Sequence, residues 1–324
     1  MAEALATYAY RPRPATMDDA AEVASVIAAC EIAYDHGTVT SETDVRDEWR
    51  NANFDEDTVV FEDPSGAIVA AADMLNRQYT VLTVYGSVHP EHEGQGLGSE
   101  IVAWGERWAR EHMHLAPPDR QIAIRYFIQS KNNRAIELMT EHGYEPIRHT
   151  YVMAIDLDHQ PPAPEWPEGI VASEYRPGID ERDVHEAVED AFRDLWGRPP
   201  SDFERFLAFS SGDGVKPDLW ILARADGEVV GVCLGTLTND QGWIPTVGVR
   251  RAWRRKGLAL ALLYACFGAY YQRGIRDVRL SVDAQSPTGA TRLYERAGMH
   301  VASNYILYQK ILRDGLDTET DTNG

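Results

Sequence analysis

Residues 87–102, SVHPEHEGQGLGSEIV, align without a gap on residues 248–263, GVRRAWRRKGLALALL, placing Gly96 on Gly257 and Gly98 on Ala259. Further along, NNRAIELMTEHGYEPI (132–147) aligns on PTGATRLYERAGMHVA (287–302), with Gly143 on Gly298. The openings YRPRPATMDDAAEVASVI and YRPGIDERDVHEAVEDAF agree more loosely. A repeat this long means two copies of one folded unit, not a short-period solenoid, and a length of 324 residues suits two domains. Between the copies lies HQPPAPEWPE, whose four prolines remove backbone donors and favour an extended spacer. The expected division is a first domain over 1–158, a linker over 159–168, a second domain over 169–313 and a tail over 314–324. The tail is acidic and nearly without apolar residues, so disorder is expected there.

Each copy spells the same order of elements. An early helical pattern (Asp18 to Cys30; Glu181 to Leu195) precedes alternating strands such as TVVFED and LWILARADGEVVGVCLGTL. In the latter, ADGE is a hairpin signal between two β-rich runs. A strand (YGSV; TVGV), a glycine-bearing loop and a helix come next. Another strand follows (IAIRYFI; VRLSVDA), then a short helix stopped by Gly143 or Gly298, and a last strand (RHTYVMAIDL; SNYILYQKI). Mixed α/β domains result.

Composition narrows the function classes. With 51 acidic against 31 basic residues and a formal charge of −20, the chain has no bulk attraction for nucleic acid or anionic lipid. No apolar run approaches the length that a membrane span needs, and the opening lacks a basic region followed by an apolar stretch. Neither a membrane span nor a signal peptide is therefore expected. Cys30, Cys233 and Cys266 are far apart and odd in number, which suits reduced thiols in a cytoplasmic protein and offers no metal spacing.

Against that acidic background, five of the seven residues from Arg250 to Lys256 are cationic, and the run stops at Gly257 before a nearly all-apolar helix. A strand that turns into a helix at a glycine gathers free N–H groups at the positive end of the helix dipole, and Arg and Lys add charge-assisted bonds. This is a phosphate site in outline. A solvated basic loop is the plain alternative; the placement between strand and glycine-started helix favours phosphate.

The spacing is not that of a P-loop or a dinucleotide fingerprint. RRKGLA (254–259) resembles instead the acyl-CoA loop of the GNAT N-acetyltransferase family, Q/R-x-x-G-x-G/A, with Arg254, Gly257 and Ala259 at its fixed positions. LYERAGM (293–299) resembles that family's LYE..GF segment. The tandem form is similar to the double-GNAT group that includes mycothiol synthases. The resemblance implies two tandem GNAT domains, each a mostly antiparallel mixed sheet flanked by helices. It implies acetyl-CoA as co-substrate, with no metal. The thioester arm would lie between strands splayed around Thr246–Val249 and Arg279–Val282. Val247, Val249, Arg254, Arg255, Lys256, Gly257, Leu258, Ala259 and Ser286 would form the cofactor site. Tyr294 falls at the position of the tyrosine that protonates the departing thiolate; an ordinary pKa of ~10 keeps it a donor at neutral pH. Its bland alternative is a half-buried aromatic packing helix on sheet.

The first copy departs from the pattern twice. Glu93 stands where the family has Arg or Gln, which replaces a charge-assisted contact with repulsion and predicts roughly tenfold to a few hundredfold weaker binding. Met139 stands at the tyrosine position and has no proton to give. Val88, Gly94, Gln95, Gly96, Gly98 and Asn132 would form a vestigial cofactor site in a non-catalytic domain. The second copy has Pro287 where the family often has Asn, and Trp243 but no carboxylate where related tandem enzymes carry a base. Either the amine enters already neutral, or a base comes from elsewhere, such as Asp283 or Asp240. Asp194, Trp196 and Glu204 could line an amine pocket, or simply be solvated and packed helix residues. His185 and His300 lack ligand spacing.

The resulting expectation is an acetyl-CoA-dependent N-acetyltransferase acting on the amine of a small molecule by direct attack in the second domain. The expected partners are that amine alone, with no nucleic acid and no membrane. The chain would be a monomer with a pseudo-dimeric domain arrangement, or a weak homodimer. The other reading is a non-catalytic acyl-CoA-binding module that regulates a partner.

Overall fold

The computed structural model describes residues 10–34, 40–193, 195–198, 201–210, 215–238, 241–286 and 288–317. The first repeat runs β1 (Arg11–Arg13), α1 (Ala20–Tyr34), α2 (Glu42–Glu48), α3 (Phe54–Asp57), β2 (Thr58–Glu62), β3 (Ile68–Arg77), β4 (Val81–Val88), α4 (Leu97–His112), β5 (Ile122–Gln129), α5 (Asn133–Glu141) and β6 (Glu145–Asp156). The second runs β7 (Ile170–Glu174), α6 (Glu181–Phe192), α7 (Phe203–Ser210), β8 (Trp220–Ala225), β9 (Glu228–Thr238), β10 (Gln241–Val249), α8 (Leu258–Gln272), β11 (Asp277–Asp283), α9 (Ala290–Arg296) and β12 (His300–Arg313). The expected class, two mixed α/β repeats with mostly antiparallel sheets, is what is found. The proline-rich segment carries neither helix nor strand.

The chain forms two compact units, and they do not coincide with the two halves of the sequence. One unit takes the described residues up to His149 together with those from Ser303 onward; the other takes Thr150–Ala302. In the first unit the strand order is β1-β2-β3-β4-β5-β12, and in the second it is β6-β11-β10-β9-β8-β7. Each repeat therefore gives its last strand to the other repeat's sheet. β12 pairs antiparallel with β5 from Tyr305↔Gln129 to Arg313↔Ile122, and β6 pairs antiparallel with β11 from Asp277↔Asp156 to Asp283↔Thr150. A side-chain bond from Arg125 Nε to Gln309 Oε1 (2.7 Å) ties the first of these pairings. A second tie is buried: Glu106 on α4 accepts from Lys310 Nζ at 2.7 Å and from Arg110 Nη2 at 2.5 Å. These cations hold the Glu106 carboxyl below its usual range despite its burial.

The tail also differs from expectation. Leu316 N donates to Asp119 O and its carbonyl accepts from Gln121 N, so the chain is paired as far as Leu316. Gly315 permits this approach, because a Cβ there would come within 2.5 Å of the Arg120 backbone. Residues 318–324 lie outside the described residues.

Both faces of each sheet are covered. In the first unit α4 packs on Leu82, Val84, Ile122 and Ile124, while α1 and α2 pack on Val60, Ile68 and Ala71. In the second, α8 covers Val230, Cys233, Val278 and Leu280, while α6 and α7 cover Trp220, Leu222 and Val232. Alternation along β8 and β9 sends neighbouring residues to opposite faces, which is why an almost wholly apolar run still forms a strand pair. The predicted ADGE hairpin turns at Asp226 and Gly227, with φ of 48 and 87 respectively, both in the left-handed region. Such a turn matches the twist of the strands on either side of it.

Candidate functional site

In each unit a parallel strand pair comes apart part-way along. β10 and β11 pair at Gly242↔Val278 and Trp243↔Arg279 only, and a bulge in β10 between Trp243 and Thr246 turns the rest of that strand away. Thr246–Val249 and Leu280–Asp283 thus face each other across an open split. In the first unit β4 and β5 pair from Val81↔Ala123 to Val84↔Tyr126, and Tyr85 and Phe127 stand on the first unpaired rung. No bulge interrupts the β3–β4 register there.

The loops that follow β4 and β10 share one backbone path. His89 (φ −54, ψ 132) matches Arg250 (−51, 141), and Glu93 (−65, 152) matches Arg254 (−66, 159). Gly96 (91, −10) matches Gly257 (85, −6) at the helix N-cap. Gly94 and Arg255 are both left-handed, with φ of 75 and 62. Glycine adopts that conformation freely, whereas Arg255 bears about 1–2 kcal/mol of strain to keep the path. The outcome, among the described residues, is a row of N–H groups without backbone acceptors, Lys256 to Ala259 in one unit and Gln95 to Gly98 in the other. An open split ending at such a row fits a thioester arm that carries phosphates at its far end.

The cations of the loop divide into two sets. Arg254 turns inward, Nε to Val249 O (3.3 Å) and Nη2 to Ala191 O (2.8 Å), and so braces the loop against the end of α6. Arg250 likewise donates to Val229 O at 2.7 Å. Arg255 and Lys256 are exposed beside the free N–H row, with Lys256 Nζ 4.4 Å from the centre of the Trp253 ring. The equivalent of Arg254 behaves the same way: Glu93 accepts from Tyr34 OH at 2.6 Å and lies 3.7 Å from Arg134 Nη1. Its charge is compensated on the inner side of the loop. The sequence reading that Glu93 confronts bound phosphate has no support in this geometry.

Val249, Leu258 and Tyr294 share one apolar cluster, with Val247 and Ala259 packed against it. Tyr294 is 8% exposed. Burial, with Cys233 nearby, pushes its hydroxyl well above the ordinary range, so it is held protonated. Among the described residues that hydroxyl has no hydrogen-bond partner. Ser286 stands apart, its Oγ 2.9 Å from Thr288 Oγ1 in the turn after β11. Asp283 accepts from Gln285 N at 2.8 Å and serves that turn. Pro287, Asp240 and Asp194 lie outside the described residues. Trp196 is half-buried and Glu204 exposed. His185 bonds Ser201 O at 2.9 Å and packs on Phe203 and Phe206, a structural role; His300 is exposed at the start of β12.

In the first unit Met139 is 1% exposed and Val88 packs on the same cluster. Asn132 caps α5, its Oδ1 accepting from Ala135 N at 3.0 Å. Gln95 accepts from Tyr10 OH at 2.7 Å. Gly98 lies against α5, where a Cβ would come within 2.8 Å of Leu138. An open surface cavity of about 560 Å³ lined by Glu106, Arg107, Arg110, Glu111 and His142 lies along α4 and touches none of the loop residues.

One group went unnoticed in the sequence. Asp73 is a lone carboxylate in the apolar strand IVAAADMLNR, opposite Thr58 on β2 and Tyr85 on β4. It makes no hydrogen bond or ion pair among the described residues, and Glu48 and Asp57 are its charged neighbours. Burial and those two acids push its carboxyl up to about 7. Tyr85 and Phe127, 45% and 36% exposed, stack across the strand split with ring centres 6.1 Å apart and planes nearly parallel. A charge interrupting an apolar strand was the signal that could have found it.

The profile of the acetyltransferase (GNAT) family matches residues 27–144 and again 182–299. A GCN5-related N-acetyltransferase of Sphaerobacter thermophilus is 48% identical, with a TM-score of 0.86 over 96% of this chain and 98% of that one. A mycothiol acetyltransferase of Catenulispora acidiphila is 28% identical over 68% of this chain and 70% of its own length. A tandem GNAT protein from the clavulanic acid biosynthesis pathway shares the fold, with a TM-score of 0.73 at 16% identity over 95% of this chain and all (100%) of that one.

Proposed function

Since the chain belongs to the GNAT family and is an acetyltransferase, we propose that its second unit transfers acetyl from acetyl-CoA to the amine of a small molecule by direct attack. The bound co-substrate supplies the activated thioester. The N–H groups of Lys256 to Ala259, with the Arg255 and Lys256 side chains, hold its pyrophosphate. Val247 and Val249 line the arm in the split. Tyr294 delivers a proton to the sulfur as the C–S bond breaks. Arg254 acts through the loop it braces. The mycothiol acetyltransferase relatives support a small-molecule acceptor.

The observation that carries this reading is Tyr294, a largely buried side chain in the same cluster as Val249 and Leu258, whose hydroxyl is held protonated and, among the described residues, has no partner. Tyr294→Phe removes the proton and keeps the ring. With an acceptor found by screening primary amines for free-thiol release, turnover should fall ~10²–10⁴-fold while the KM for acetyl-CoA holds. An unchanged kcat would reject the assignment; an equal loss in kcat and acetyl-CoA affinity would make Tyr294 a packing residue.

A further inference from the structure

The first unit keeps the backbone features that the second offers an acyl donor, but Gly94 and Gln95 take the places of the cations Arg255 and Lys256, and Met139 that of the proton-donating tyrosine. Its loop follows the same path, its N–H row is free of backbone acceptors, and its strands part at Val84↔Tyr126. It also has what the described part of the second unit lacks: a carboxylate without a partner beside the split. Asp73 lies directly across from Tyr85, so both side chains leave the same face of the sheet, and Phe127 stacks on Tyr85 over the gap. Leu75, 41% exposed, extends that face. Acid below and aromatic rings beside it suit a cation carried on an apolar body, because ring faces attract cations and cover hydrocarbon.

We propose that the first unit is a second, slower acetylation site for a primary ammonium on an aromatic or apolar body, with Asp73 as the proton acceptor and Tyr85 and Phe127 as the seat for the body. The ammonium loses one proton to Asp73, which passes it to water. The freed nitrogen attacks the thioester carbon of acetyl-CoA; the C–N bond forms and the C–S bond breaks with its electron pair on sulfur. The nitrogen's second proton ends on that thiolate, giving free CoA and the amide. An alkylammonium has a pKa near ~10.4, so its deprotonation needs a base. A carboxylate raised to about 7 is roughly a thousandfold better matched than an ordinary one at ~3.9. A thiolate is a stable enough leaving group to depart without a donor, only more slowly. Met139 therefore lowers the rate of this site without abolishing it. The groups facing Asp73 are Glu48 from α2, Asp57 from α3 and Tyr85 from β4, with Arg77 on its own strand acting on Tyr85.

This inference rests on the family's use of acetyl-CoA and is independent of Tyr294. Its test uses the full chain with 2-phenylethylamine and acetyl-CoA, following the N-acetyl product by mass spectrometry from pH 5.5 to 9. Calorimetry follows binding of the amine. In a Tyr294→Phe background a slow transfer should persist, with kcat/KM rising through pH ~7. Adding Asp73→Asn should cut it at least ~100-fold and remove that limb, while Asp73→Glu restores a limb. Thermal melting verifies that each variant is folded. Absence of binding and transfer in the wild-type protein, or a residual rate and pH profile indifferent to Asp73→Asn, overturns the proposal. Loss of all transfer in Tyr294→Phe overturns it too and leaves the second-unit reading standing. No effect of Tyr294→Phe combined with loss in Asp73→Asn does the reverse.

Discussion

Replacing Asp73 by Asn should stabilise the protein, and by an amount that depends on pH. The folded state raises this carboxyl from 3.8 to about 7. A shift of roughly three units, at about 1.36 kcal/mol each, makes about 4 kcal/mol of destabilisation when the group is ionised. Because the folded pKa lies above the unfolded one, the native state binds the proton more tightly, and stability falls as pH rises between the two values. Below pH ~4 both states are protonated and the penalty is absent; above pH ~7 it is complete. Asparagine keeps the shape without the charge. The gain from Asp73→Asn should therefore be about 2–3 kcal/mol larger at pH 8 than at pH 5. Urea unfolding of wild type and variant at both pH values, with the slopes compared so that midpoints can be read as stability, measures this directly. Equal shifts at pH 5 and pH 8 would mean that Asp73 is not desolvated as described, and would remove its claim to act as a base near neutrality.

The two sets of loop cations should separate in mutagenesis. Arg254→Ala loses two bonds from a charged donor. It should cost about 1–3 kcal/mol in urea unfolding, with weaker acetyl-CoA binding as a consequence of a loosened loop. Arg255→Gly relieves the left-handed strain. It should leave stability unchanged or raised by up to ~1 kcal/mol, while calorimetry shows weaker acetyl-CoA binding. Lys310→Met leaves Glu106 with Arg110 as its remaining strong cation. It should destabilise the first unit by about 2 kcal/mol, the scale of a hydrogen bond to a charged group, seen as an earlier unfolding transition. An unmoved midpoint would show that this pair does not secure β12.

Local features were readable in the sequence because local chemistry imposes them. The hairpin at Asp226–Gly227 and the helix stops at Gly143 and Gly298 rest on positive φ angles that glycine adopts freely. The open loop before α8 was equally plain, since a glycine N-cap follows a strand. The exchange of β6 and β12 was not readable. TYVMAID and YILYQKI alternate alike, so either can complete either sheet, and only the paths of the connecting segments decide. The inward turn of Arg254 was also hidden, because its acceptors are backbone carbonyls on Val249 and on the distant Ala191. Asp73 depends on neighbours from α2, α3 and β4, contacts that no local pattern encodes.

Exchanging the final strands gives the molecule a timetable. Arg125 and Gln309, hydrogen-bonded neighbours on β5 and β12, are 184 positions apart. At roughly 5–20 residues per second, about 10–40 s of synthesis separate them. For that interval the first unit's sheet ends in β5, whose Ile128 and Phe127 flank an unsatisfied backbone edge. The second unit has the opposite history: β6 is made before the strand it will join. A ribosome pause between residues 170 and 300 would therefore prolong the exposure of one unit and leave the other merely unfinished. Chains stalled there should be captured by chaperones through the β5 edge, and release of residues 303–313 should end that dependence.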